Sequence, residues 1–229
     1  MLFLLLIGCE SITPYLEEVR EDPVEIMYSG TVYQGAPSAD NSVLTDGSMA
    51  FFDLDGGLLA EAEQREDLPG YWQVSLPVGV AYNLRIEAEE SYPAIWRASA
   101  PYGQAFWFSG AFFSLPHEQV DPFFEAVAEA VGVEIGDLKT DEVVHVWGRI
   151  DNPESAQPRD FPIRDGDGKR PEVYAFEELE DGSLVQTEEG PVRYVFAFDL
   201  KPGEIEVAGV TYNTQPGDLI AAWWYEVLE

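Results

Sequence analysis

Short runs of alternating apolar and less apolar residues, separated by turn residues, constrain the fold of this sequence more than any other feature. In segment 70–76, Trp72, Val74 and Leu76 alternate with Tyr, Gln and Ser, and segment 80–88 repeats the pattern. Such alternation predicts strands with one buried face. The turn residues that separate the runs cluster at 39–42, 46–47, 53–57 and 77–79. Several short strands at this spacing predict antiparallel β-sandwiches.

The first half of the chain carries motifs of a known family. These motifs are Gly30-Thr31-Val32, the stretch from Gly70-Tyr71 to Leu76-Pro77-Val78-Gly79, Tyr82-Asn83-Leu84, and Tyr92. With them, about a third of the chain resembles the carboxypeptidase regulatory-like, or transthyretin-like, β-sandwich. The resemblance implies one such sandwich over residues 24–100. The sequence departs from the family at 35–48, where a looser polar stretch replaces the usual second strand.

A weaker echo of the same order in the second half indicates an internal duplication. The echoing segments are 144–150, 173–182 and 194–207, which parallel 28–33, 50–57 and 72–79 in that order. We therefore expect a mainly β protein with two small antiparallel β-sandwiches of this type, at 24–100 and 143–229. In that arrangement Trp72 and Tyr194 would occupy equivalent core positions.

One helix is predicted in the connecting segment, 101–142. Asp121 is a fitting N-cap, Pro122 suits the first helical position, and Gly132 suits the C-terminal cap. Apolar residues form one stripe along this helix, and it includes Phe123, Phe124 and Val127. We expect that stripe to be buried in the seam between the two modules.

The N-terminal segment resembles a bacterial lipoprotein signal. Residues 1–8 are apolar, and Leu6-Ile7-Gly8 together with the following Cys9 matches a lipobox. Residues 9–23 are predicted to form a polar tether. The resemblance implies acylation of Cys9, a membrane anchor, and a place in the bacterial envelope, either periplasmic or surface-exposed. The alternative is an ordinary buried strand with Cys9 as a small core residue.

Composition excludes some classes of partner. The 12 basic and 43 acidic residues give a formal charge of -31, which repels phosphate backbones, so nucleic acid is not expected as a partner. Neither a serine elbow, nor a glycine-rich phosphate loop, nor a paired-cysteine motif occurs. We therefore expect a non-enzymatic binding or display protein, with a glycan or a protein as ligand. The alternatives are an envelope hydrolase, or its accessory, with an unrecognised site, and a carbohydrate-binding or structural spacer protein.

Two acidic turns are candidates for a calcium site. Asp53 with Asp55, and Asp165 with Asp167, place carboxylates two residues apart, a spacing that lets their oxygens converge on a hard cation. Neither turn completes an EF-hand loop, and Asp and Gly are also what solvated hairpin turns require. No other cofactor is expected.

Aromatic residues offer a second candidate site. Trp96, Trp107, Trp223 and Trp224 could form an exposed platform for stacking sugars, although core packing is the alternative for each. The two histidines, His117 and His145, lie in different sequence contexts, and we expect both to be solvated or on a sheet surface.

Overall fold

The computed structural model describes residues 25–35, 42–99, 112–139, 142–150, 155–156, 161–188 and 190–224. These ranges contain twenty strands and two helices. The strands are β1 (Glu25–Thr31), β2 (Tyr33–Gln34), β3 (Ser48–Phe52), β4 (Leu58–Glu61), β5 (Glu63–Gln64), β6 (Tyr71–Pro77), β7 (Ala81–Glu87), β8 (Ser91–Tyr92), β9 (Ala94–Ser99), β10 (Phe113–Pro116), β11 (Val144–Ile150), β12 (Ser155–Ala156), β13 (Ile163–Arg164), β14 (Val173–Glu178), β15 (Leu184–Gln186), β16 (Gly190–Pro191), β17 (Tyr194–Leu200), β18 (Glu204–Val207), β19 (Val210–Asn213) and β20 (Leu219–Trp224). The helices are α1 (His117–Val131) and α2 (Ile135–Leu138). The mainly β fold class is confirmed.

A nine-stranded sheet runs through both halves of the chain, in the order β15-β14-β17-β11-β20-β9-β7-β3-β4. Strand β20 joins the halves, because it pairs in parallel with β11 on one side and with β9 on the other. Parallel strands are covered on both faces and read as continuous apolar runs. Strand β20 fits this rule, since its first four residues, Leu219 to Ala222, are all buried.

The shared sheet corrects the expectation of two separate sandwiches. The strands of each half stay next to one another and do not interleave, but Leu219 and Ile220 pair with Ala94 and Ile95 across the boundary. Because β20 is buried on both faces, water does not reach its backbone N–H and C=O groups, which need partners within the protein. A neighbouring strand on each side supplies these partners. The two halves therefore share one backbone hydrogen-bond ladder.

The outer layers of the two halves cover opposite faces of this sheet. On the first face, the sheet β1-β6-β5 and helix α1 pack in a core that includes Leu84, Trp96 and Leu219. On the second face, the sheet β13-β18-β19 covers a core that includes Ile95 and Ile220. Neighbouring residues of one strand thus enter different cores, as the alternation of strand side chains requires.

This arrangement also shows that the expected equivalence of Trp72 and Tyr194 is wrong. Trp72 lies in β6, which belongs to an outer layer, whereas Tyr194 lies in β17 of the nine-stranded sheet. In the first half the chain passes from β6 in an outer layer to β7 in the nine-stranded sheet, whereas in the second half it passes from β17 in that sheet to β18 in an outer layer. The segments that resemble each other in sequence therefore do not share one topology. Two small sheets, β2-β10-β8 and β12-β16, complete the described fold.

Helix α1 begins five residues before the predicted start at Pro122, which instead lies inside the helix. Asp121 does not cap the helix, because it lies inside it. Its Oδ1 accepts hydrogen bonds from Tyr92 Oη (2.7 Å) and Lys139 Nζ (2.8 Å). The predicted C-terminal cap is confirmed: Gly132 has φ 75°, a left-handed conformation that glycine adopts without strain. Burial of Phe123, Phe124 and Val127 is also confirmed. No helix in the described ranges is long and apolar enough to cross a membrane.

Candidate ligand site at the seam of the two halves

The second face of the nine-stranded sheet carries polar side chains over part of the first half. Strand pairing aligns Leu58, Phe52, Asn83 and Arg97 in one row across β4, β3, β7 and β9. Arg85 lies on the same face as Asn83, two residues along β7, and its guanidinium carbon lies 5.9 Å from the centre of the Phe52 ring. This surface carries an aromatic ring and planar polar side chains in place of the apolar residues of the opposite face.

The second half of the chain supplies the wall of a cavity over this surface. The end of β19 and the following turn, residues 213–215, approach the β3–β4 turn, and Asn213 Nδ2 donates a hydrogen bond to Leu54 O (2.5 Å). The volume of this open cavity is about 190 Å³. We call it the seam cavity, and its lining residues are Phe52, Asp55, Gly56, Asn83, Arg85, Ile95, Asn213, Thr214 and Gln215.

A buried ion pair ties the halves together beside the seam cavity. Arg85 Nη2 donates to Asp218 Oδ2 (2.7 Å), and Arg85 Nη1 donates to Gln215 Oε1 (3.1 Å). The same Asp218 oxygen accepts the Gln215 backbone N–H (2.6 Å). Burial nevertheless raises the pKa of Asp218 to about 6, because the desolvation of its carboxylate outweighs the lowering by the Gln215 N–H and by Arg85. The pair therefore fixes the position of Arg85 more than it stabilises the fold.

A second cavity lies beside the start of α1 and contains both histidines. Its volume is about 490 Å³, and we call it the helix cavity; its lining residues are Ser91, Tyr92, Pro93, His117, Lys139, His145, Pro216 and Gly217. His117 is exposed, as expected, but the expectation of a solvated His145 is wrong, because only 3% of its surface is accessible. The Phe124 ring lies 4.8 Å from the His145 ring, and Phe196 stacks on it at 6.2 Å. Helix α1 covers this histidine, which no local pattern in the sequence indicates.

Two polar side chains of the helix cavity, Lys139 and Tyr92, are held by one carboxylate. Lys139 Nζ and Tyr92 Oη both bond to Asp121, and Lys139 lies 5.7 Å from the centre of the Tyr92 ring. Burial, and then the hydrogen bond to Asp121, raises the pKa of Tyr92. Burial lowers the pKa of His145 to about 4, so its imidazole is neutral at pH 7. Among the residues that the structure describes, none forms a hydrogen bond with the buried His145 Nδ1.

Each acidic turn that was considered for calcium uses one carboxylate to close the turn. Asp53 Oδ1 accepts the backbone N–H groups of Asp55 (3.0 Å) and Gly57 (2.7 Å). Asp165 Oδ1 likewise accepts those of Asp167 (3.0 Å) and Lys169 (2.8 Å).

In the second of these turns, the carboxylate of Asp167 forms an ion pair with Lys201 Nζ at 3.0 Å. Within the described ranges, no group of three or more His, Cys, Asp or Glu residues could hold a metal ion. The turn role accounts for the spacing of these aspartates, and calcium binding stays a prediction.

The tryptophan platform is corrected at the position that the structure describes. Trp96 is 3% exposed, donates its indole N–H to Phe113 O (3.1 Å), and packs against Phe112 and Phe113. Trp96 is a core residue. Its neighbour Ile95 points to the opposite face of the sheet and lines the seam cavity. Trp107 and Cys9 lie outside the described residues, and so do the side chains of Trp223 and Trp224.

Comparison with known proteins does not assign the chain to a family. No family model matches it, and no curated protein matches it. Among solved structures, the TIE protein of Bacillus anthracis is similar over 87% of this chain at 12% identity and a TM-score of 0.29, and this chain spans 34% of that protein. The minor pilin GBS52 of Streptococcus agalactiae is similar over 89% of this chain and 97% of its own, at 6% identity and a TM-score of 0.21. Likeness at these TM-scores carries no argument about function.

Proposed function

We propose that this protein is a non-enzymatic binding module of the bacterial envelope, held at a membrane by a lipid on Cys9, and that its seam cavity binds a saccharide. One observation carries the proposal. Two interactions between the halves, Asn213 with Leu54 and Arg85 with Asp218, flank a cavity whose floor includes an aromatic ring and planar polar groups. Clefts of this kind, with few and fixed polar groups, are the usual form of small-ligand sites.

The composition of the cavity favours a sugar over other polar ligands. Asn83, Asn213 and Gln215 each carry an amide, which can donate and accept hydrogen bonds with a hydroxyl group. Phe52 offers an aromatic ring against which the apolar face of a sugar can pack. The guanidinium of Arg85, which lies next to this ring, supplies further hydrogen-bond donors. The volume suits a single ring-sized group at the end of a longer glycan.

Binding is favoured over catalysis by what the titratable groups already do. Asp218 is occupied by Arg85 and a backbone N–H, and Asp121 is occupied by Tyr92 and Lys139. His145 has aromatic neighbours, Phe124 and Phe196, in place of a nucleophile. A general base needs hydrogen-bond reach to the proton that it removes, and these contacts do not supply it.

The envelope anchor and the family type belong to the same proposal. The layers β1-β6-β5 and β9-β7-β3-β4 face each other within residues 24–100, as the resemblance to the transthyretin-like sandwich implies. Acyl chains on Cys9 would place this module, with its glycan site, in the periplasm or at the cell surface.

Shortening the groups that line the seam cavity should weaken saccharide binding. We expect Phe52→Ala and Asn213→Ala each to weaken the affinity for a bound glycan at least tenfold, about 1.4 kcal/mol, measured by titration calorimetry. The matched control is Thr211→Ala, an exposed residue two positions before Asn213 on β19. Equal affinity in all three variants would place the binding elsewhere, and release of a hydrolysed sugar by the wild type would contradict the non-enzymatic assignment.

Replacing Cys9 should release the protein from membranes. The Cys9→Ala variant lacks the thiol that is acylated, so we expect loss of metabolic labelling with a fatty acid and a shift from the detergent phase to the aqueous phase. Ser11→Ala is the matched control and should stay in the detergent phase. A Cys9→Ala protein that partitions as the wild type does would show that the segment before Cys9 is not a lipoprotein signal.

A further inference from the structure

Arg97 is an unusual cation in this strongly acidic protein. Two other partly buried arginines in the described ranges form ion pairs, Arg85 with Asp218 and Arg193 with Glu178. Arg97 is also partly buried, yet in the described part of the chain its one side-chain hydrogen bond goes to the neutral Asn83 Oδ1, at 3.3 Å from Nη1.

Arg97 is partly buried, and its guanidinium has donors that the bond to Asn83 does not use. Burial lowers the pKa of its guanidinium, and the neighbouring Tyr212 only partly opposes that effect. A guanidinium has five N–H donors in a planar fork that matches a carboxylate, and the bond to Asn83 uses one of them. A partly desolvated cation with unused donors is stabilised when an anion reaches it.

Arg97 lies on the same face of the sheet as residues that line the seam cavity, but it is not itself a lining residue. It pairs directly with Asn83 across β7 and β9, and Asn83, which is 3% exposed, lines the cavity. The buried Asn83 amide thus connects the guanidinium to the cavity. The formal charge of -31 repels anions at long range, so a site for an acidic ligand on this protein needs a local cation such as Arg97.

We infer that the ligand of the seam cavity carries a carboxylate that binds Arg97, and that the ligand class is therefore an acidic saccharide containing uronic acid. This inference rests on the proposed function, because it specifies the chemistry of the same cavity. The ring of the uronic acid would lie against Phe52, and its carboxylate would point along the row of residues from Phe52 through Asn83 to Arg97.

Calorimetry with matched sugars tests the inference. The probes are glucuronate and galacturonate, each compared with its neutral parent, glucose or galactose, on the full chain. We expect the wild type to bind one uronate at least tenfold more tightly than its neutral parent. Arg97→Gln should remove that preference, whereas Arg97→Lys should keep part of it, because lysine retains the charge but loses the planar fork. Arg164→Gln, which changes the net charge equally at an exposed site, should behave as the wild type.

The outcomes separate the inference from the function on which it rests. Equal affinity for a uronate and its parent, with binding still weakened by Phe52→Ala, overturns the carboxylate but leaves the saccharide site. A uronate preference that survives in Arg97→Gln overturns the role of Arg97. Absence of binding by all four sugars overturns both the site and its chemistry.

Discussion

Replacing Phe124 with alanine is expected to lower the free energy of unfolding by about 3–5 kcal/mol, the usual cost of truncating a fully buried phenylalanine. Phe124 has no exposed surface, and its ring contacts one residue of the first half, Tyr92, and two of the second, His145 and Phe196. The variant should leave a cavity where α1 packs between the halves. Urea unfolding followed by tryptophan fluorescence measures the change.

Two further variants on α1 sharpen this test. Phe124→Asp should cost more than Phe124→Ala, because it adds a buried and unpaired carboxylate to the lost contacts. Val131→Ala, at the exposed end of the same helix, is the control and should change stability by less than about 1 kcal/mol. A Phe124→Ala protein as stable as Val131→Ala would mean that α1 is not packed as described.

His145 and Asp218 should give opposite pH dependences that largely cancel in the wild type. The pKa of His145 falls from 6.5 to about 4 on folding. Between these values the unfolded chain binds a proton that the folded protein does not, so stability is lost as the pH falls, by about 3 kcal/mol in all. The pKa of Asp218 rises from 3.8 to about 6. Here the folded protein binds the extra proton, so about 3 kcal/mol is present at low pH and is lost as the pH rises through 6.

Removing either group should expose the effect of the other. From pH 7 to pH 5, we expect His145→Phe to gain stability relative to the wild type and Asp218→Asn to lose it. Phenylalanine suits the aromatic surroundings of position 145, and asparagine keeps an oxygen to accept from Arg85 and Gln215. Urea unfolding at several pH values measures both differences. If both variants follow the wild-type pH profile, burial does not shift these two groups in the stated directions.

The sequence was informative where one face of a strand is buried. Alternation at 70–76 and 80–88 correctly predicted the inward faces of β6 and β7, with Leu76 and Leu84 in one core. It failed at β20 and β9, where both faces are covered and Leu219 to Ala222 or Ile95-Trp96 show no alternation. A continuous apolar run indicates a central strand but not its partners, so the shared sheet could not be derived from pattern alone.

The seam cavity was missed for a related reason. Asn83 and Arg85 occupy the polar positions of an alternating strand, and such positions are usually solvated. They line a cavity only because residues 213–215, far away in the sequence, form its other wall. The available sequence signal is charge, because Arg85 and Arg97 are two of only 12 basic residues; the structure places them on the paired strands β7 and β9.

A titration of the ¹⁵N-labelled protein with glucuronate and galacturonate, followed through its side-chain amide resonances, tests the central claim most directly. The predicted result is a saturable shift of the Asn83, Asn213 and Gln215 side-chain NH₂ signals on one binding curve, since these amides line a single cavity formed by both halves. Amides outside the cavity, such as Gln73 and Gln186, should stay unchanged. Shifts confined to other residues, or none at saturating sugar, would contradict the seam cavity as the ligand site.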